Sequence, residues 1–155
     1  PRPAHAASVA TMTSRTSHTS SSRIDLALAV LRVVVGLVFV AHGGQKLFVY
    51  GLDGVAGSFG QMGIPAAGLT GPLTALVEFF GGLALVAGLL TRLAGLGLAV
   101  TMLGAILLVH LAGGFFLPSG IEFALTLLAG SAALALAGAG RYSLDHVLAT
   151  RRAAR

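Results

Sequence analysis

The chain has 155 residues, of which 55% are hydrophobic and only 10% charged, too little polar surface for a soluble domain of this size and the balance of a membrane protein. It contains no cysteine, which excludes a disulfide framework, a thiol redox couple and an iron–sulfur cluster held by its own thiolates. The formal charge of +5 does not point to nucleic acid: the basic residues do not interleave with aromatics and lie outside the apolar runs, so anionic lipid headgroups are the expected counter-charge.

Residues 1–23, PRPAHAASVATMTSRTSHTSSSR, are rich in Ser, Thr, Ala and Pro without an apolar period and are expected to form a flexible tail. They lack the continuous apolar core of a signal peptide, and the natural start is expected either just before Pro1 or at Met12. A membrane domain is expected over residues 24–148, followed by a basic tail over 149–155. Within it, four apolar segments, Leu26 to Phe48, Pro72 to Leu90, Leu93 to Leu111 and Ile121 to Ala139, each span roughly 28–35 Å as a helix, the thickness of a bilayer core. A soluble bundle would need a polar face on every helix, yet LGLGLAVTMLGAILLV and ALTLLAGSAALALAGA are apolar on all sides. The fold class is therefore all-α, a polytopic four-helix membrane bundle.

Between the first two spans, Val55, Phe59 and Met62 recur at helical spacing before Gly63-Ile-Pro65, predicting a short surface helix with its apolar side among the headgroups. Gly71-Pro72 suits a helix start, and Ser119-Gly-Ile-Glu122 has the form of a capping box. Thr91-Arg92 leaves so little linker that the second and third spans must be antiparallel neighbours. Small residues repeat at Gly97/Thr101/Ala105 and at Ala129/Ala133/Ala137 and are expected to pack helix on helix. Lys and Arg flank the spans at residues 2, 15 and 23, at Arg92 and at the C-terminus, and are absent from the first and third connections; the positive-inside rule then predicts cytoplasmic termini.

An ionisable side chain near the bilayer centre costs about 2.5–3.5 kcal/mol on insertion scales, so each needs a partner, a route to the headgroups or a function. In the predicted topology, separate helices bring His42, Lys46, Glu78, His110 and Glu122 to one level in the outer half, and a shared polar cavity is expected there. Lys46 alone is explicable by snorkelling and Glu122 by helix capping, but Glu78 is too deep for either. Arg32 lies in the inner half, and its expected partner is Asp145, in a structural ion pair. No catalytic residue is assigned. The carboxylate-bridged Glu-x-x-His pairing of di-iron sites is missing, so no metal is expected and haem is disfavoured. A quinone headgroup suits the cluster, because its carbonyl oxygens need donors and its reduction needs protons that His and Glu exchange. Histidine plus acid equally suits a proton-coupled carrier, and composition does not separate the two.

LRVVVGLVFVAHGGQKLF, Gly63-Ile-Pro65, ALVEFFGGLALVAGLLTRLAG and GAGRYSLD in this order resemble the DoxX family of small four-helix membrane proteins, over about residues 26–148. Arg32, His42, Gly43, Lys46, Glu78 and the Ser143-Leu144-Asp145 end fall on the family pattern. The resemblance implies a bacterial inner-membrane protein whose relatives include subunits of thiosulfate:quinone oxidoreductase and proteins linked to terminal oxidases, with other membrane or soluble redox subunits as partners. Two readings follow: a quinone-linked oxidoreductase subunit, or a non-catalytic accessory subunit packed on a larger electron-transfer complex. A small-solute or proton-coupled carrier ranks behind both.

Overall fold

The structure, a computed structural model, describes the backbone of residues 4–155 and the side chains of residues 22–155. The tail expected over residues 1–23 lies, but for its last two residues, outside the described side chains. The chain is all-helical among the described residues: α1 Ala4–Gly44, α2 Gly51–Gln61, α3 Ala67–Ala87, α4 Thr91–Ala105, α5 Glu122–Ala137 and α6 Leu144–Ala153. The apolar part of α1 from Ser22 onward, α3, and α4 with its continuation to Gly113 are each long and apolar enough to cross a membrane, and α5 is a shorter apolar helix.

The four apolar helices bury one shared stripe and leave the rest of their surfaces apolar. Val35 and Phe39 of α1, Leu85 of α3, Leu98 and Met102 of α4, and Leu127 and Leu134 of α5 meet in the core. On the outside, Leu26, Val30, Val34 and Leu37 form an exposed row on α1, as do Leu76, Phe80 and Leu83 on α3. In water such rows would be polar; here they are the surface a bilayer covers. This is a polytopic membrane protein.

Helix packing uses other small residues than the sequence pattern suggested. α1 packs closely on α3 because Gly36 and Gly82 face each other: a Cβ on Gly36 would lie 2.8 Å from the Gly82 carbonyl oxygen. α4 packs on α5 where a Cβ on Gly95 would lie 2.8 Å from the Ser131 carbonyl oxygen. The Gly97/Thr101/Ala105 row turns instead onto a cavity, and Ala129, Ala133 and Ala137 are exposed. Spacing marks a face of a helix; it does not say what that face meets.

The ends of the helices also differ from their signals. α3 begins at Ala67, five residues before Pro72, because the Ala66 carbonyl already accepts from the Leu69 and Thr70 N–H groups, at 2.8 and 2.9 Å. The Ser119 capping box does not form: α5 has no side-chain cap, and Glu122 accepts the Leu117 N–H at 2.7 Å instead. α1 runs through a π-helical turn, Gln45–Tyr50, to Gly51, whose φ of 70° and ψ of 163° redirect the chain into α2. The short helix lies where it was expected, but its apolar side faces the protein: Val55 is buried, Ala56 backs onto Gly71 of α3, and Phe59 and Met62 line the cavity. α6, capped by Ser143, whose Oγ accepts the His146 N–H at 3.2 Å, carries residues 149–153 of the expected basic tail as helix.

Candidate functional site

The cavity has a volume of about 840 Å³ and occupies the end of the bundle where α1 finishes and α3 and α5 begin. That volume is within the range of small-molecule sites, about 300–1,000 Å³. Its walls are largely apolar, with Phe39, Val77, Met102 and Leu127 among them, and His42, Lys46, Glu78 and His110 also line it. Four of the five residues singled out for the outer-half cluster thus share one chamber. Glu122 does not line it; its carboxylate holds the Leu117 N–H, so it shapes the loop whose Leu117, Pro118 and Gly120 form part of the wall.

Each polar group is delivered by a local irregularity or a helix face. Lys46 sits on the π-helical turn that ends α1, and His110 closes a second one, Ile106–His110, that continues α4. Such turns rotate the following side chains relative to an α-helix and recur at functional sites. Glu78, mid-way along α3, is only 3% exposed; Lys46 Nζ lies 2.5 Å from its Oε2, with the lysine side chain 21% exposed. The pair removes the cost of an isolated carboxylate in an apolar wall. The ammonium has three N–H donors, so donors remain once Glu78 is bound. His110 Nδ1 lies 3.1 Å from the Ser119 carbonyl oxygen. A carbonyl only accepts, so Nδ1 carries the proton of this bond and Nε2 is left to exchange one. The His42 ring lies against Phe123, with centroids 5.7 Å apart, and with Ala41 and Gln45 it also borders a shallow hollow of about 270 Å³. Among the described residues no three of His, Asp and Glu converge as a metal-ligand set.

Thr74 and Thr101 are polar wall groups that the sequence reading passed over. Thr101 Oγ donates to the Gly97 carbonyl at 3.0 Å. The row Gly97/Thr101/Ala105 was a signal for Thr101, assigned to packing; Thr74 had none.

At the opposite end, Arg32 and Asp145 do not form the expected ion pair: within 4.0 Å, Lys46–Glu78 is the salt bridge among the described residues. Both serve the α3–α4 turn instead. α3 ends in a Schellman motif, with Gly88 at φ 67° and the Leu89 N–H on the Ala84 carbonyl at 2.9 Å. Arg32 donates to the Leu85 and Val86 carbonyls at 3.0 and 2.7 Å, and to Tyr142 O. Asp145 accepts the Leu90 and Thr91 N–H groups, at 2.7 and 2.9 Å. The cation thus meets the carbonyl end of α3 and the anion the amide end of α4, as helix dipoles favour. Helix ends have taken the charges that sequence alone would pair with each other.

Compared with known proteins, residues 27–111 match DoxX and residues 70–154 match the TQO small subunit DoxD. An uncharacterized membrane protein of Mycobacterium tuberculosis is 38% identical, the alignment covering 80% of this chain and 82% of the relative. CatD of Bacillus subtilis, provisionally named an oxidoreductase, is 35% identical over 78% of this chain and 86% of its own. The inner membrane protein YqjF of Escherichia coli is 34% identical over 80% and 93%. No solved structure matches the chain. With two matches that together run from residue 27 to residue 154 and relatives aligned over most of their lengths, the chain belongs to the DoxX family.

Proposed function

We propose that this chain is an inner-membrane subunit of a quinone-linked electron-transfer assembly, with its termini on the cytoplasmic side, and that the cavity receives a quinone headgroup. The observation that carries the reading is the buried Lys46–Glu78 pair in the wall of an apolar chamber that also presents two histidines. Apolar walls suit the ring, and the remaining Lys46 donors suit a carbonyl oxygen. A quinone, when bound, supplies electron acceptance coupled to proton uptake. The chain's own part is to hold the headgroup through Lys46 and to move protons through Glu78 and the histidines, His110 doing so at Nε2. With no cysteine in the sequence, the chain's own thiols carry no electrons, which then come through a bound cofactor or a partner subunit. The match to the DoxD small subunit and the name given to CatD support this class of role.

The test is gentle purification followed by identification of bound quinone and partners. Wild type is expected to retain quinone, and Glu78→Gln to fold and assemble yet lower quinone-linked turnover about a hundredfold, the usual scale for a lost acid–base group. If Glu78→Gln and His42→Ala both leave quinone retention and turnover intact, the cluster is structural, and the accessory-subunit reading replaces this one.

A further inference from the structure

α3 and α4 are joined by the tight turn around Gly88, but they do not stay together along their length. Around Gly97 and Leu98 of α4 the two helices touch: a Cβ on Gly81 of α3 would lie 3.2 Å from Leu98, and a Cβ on Gly97 would lie 3.6 Å from Val77; at Gly104, on the same face about two helical turns beyond Gly97, a Cβ meets nothing within 4 Å. The two helices splay, and Val77, Gly97, Thr101 and Gly104 line the cavity along the widening seam. Leu73 on α3 and Val100 on α4 also line it while remaining 53% and 62% exposed, so the chamber reaches the apolar outer face of the bundle between these helices.

We infer that this seam is the exit for the single isoprenoid tail of the cavity's ligand, and that Gly97 and Gly104 are the residues that keep it open. The inference rests on the quinone reading above. One chamber has a charged pair on one wall and an opening into hydrocarbon on another, the shape of a site for a small polar head on a long apolar chain. Glycine in a helix interior is disfavoured relative to alanine, and no neighbour needs Gly104 for a close approach; open space is what its missing side chain provides. The head should be uncharged, because Lys46 is already neutralised by Glu78 and an anionic phosphate would compete for it. That selects a quinone over a phospholipid.

The experiment measures affinities of the purified full chain for ubiquinone and menaquinone, each in long-chain and tail-less headgroup form, in wild type, Gly104→Leu and Gly68→Leu. The control, Gly68, also has open space at its Cβ but does not line the cavity. Gly104→Leu should fold at least as well as wild type, since leucine is the better helix former. It should weaken long-chain binding by at least about tenfold because the leucine side chain fills the open seam, with tail-less binding changed by less than about threefold. Gly68→Leu should change neither. Unaltered long-chain affinity in Gly104→Leu overturns the seam as the exit, as does wild type binding the long-chain form no more tightly than the tail-less one. Wild type binding no form overturns the quinone reading itself. A phospholipid retained by wild type and lost from Gly104→Leu, without quinone affinity, overturns the choice of occupant.

Discussion

Among the described residues Glu78 is the most enclosed charged residue, and its partner Lys46 is less so. Removing one member of a buried pair costs about 3–5 kcal/mol when the other is left charged and enclosed. Lys46→Met therefore lowers stability by about 3 kcal/mol, whereas Glu78→Gln, which leaves a partly exposed ammonium beside a neutral amide, costs about 1 kcal/mol. The double variant recovers most of the Lys46→Met loss, a non-additivity that thermal unfolding in detergent reads directly. Strictly additive losses would mean the two side chains do not depend on each other. The pair was one of two outcomes legible in the sequence: a deep carboxylate had either to pair with Lys46, at its level, or to stay protonated. That Lys46 rather than a histidine meets it was decided by the π-helical turn that carries Lys46, which no periodicity foretells.

At the level of elements, the turn between α3 and α4 is held by two opposite charges that make no direct salt bridge with each other. Arg32→Lys keeps the charge but replaces a planar fork of donors by a compact ammonium, which cannot reach carbonyls on both α3 and the segment before α6. It is expected to cost about 2 kcal/mol. Asp145→Asn leaves one amide N–H of the turn without its acceptor and lowers folded yield with little effect on quinone binding at the far end. Normal stability of Arg32→Lys in the same melts would show that the carbonyl contacts carry no weight. Between helices, Gly82→Ala drives a Cβ into the Gly36 carbonyl and the Val40 backbone and costs about 1–3 kcal/mol through overpacking. Gly97→Ala meets Val77 only at ordinary contact distance and should leave the melting temperature within about a degree or two of wild type. Equal destabilisation by the two would place α1–α3 and α3–α4 packing on the same footing. These two glycines look alike in sequence; only the distance of the facing backbone tells them apart.

For the whole molecule, the proposed orientation follows from Arg92 and the arginines near both termini. The chain has no cysteine, so single introduced thiols report side without background. Ser58→Cys on α2 and Ala149→Cys on α6 are at exposed positions. A membrane-impermeant reagent added to intact cells with an accessible periplasm should label Cys at 58 and not at 149. Labelling of position 149 alone would invert the topology and place the cavity at the cytoplasmic face.

The class of the protein, its four apolar spans and the residues that had to find partners in hydrocarbon were determined by the sequence alone, because burial in lipid penalises each polar group one at a time and leaves its mark locally. The partners themselves were decided by tertiary structure. Arg32 and Asp145 were expected to contact each other directly and instead bind the ends of α3 and α4, within coulombic reach of one another. Glu122 was expected at the cavity's rim as a ligand-binding group, and its carboxylate is occupied by the amide of Leu117 in the wall-forming loop. The row Gly97/Thr101/Ala105 was expected between helices and lines the cavity instead. In each case composition and spacing set what a residue needs, while helix crossings, the splay of α3 from α4 and the two π-helical turns set what lies within reach. Those depend on contacts between residues far apart in the chain, which no local pattern encodes.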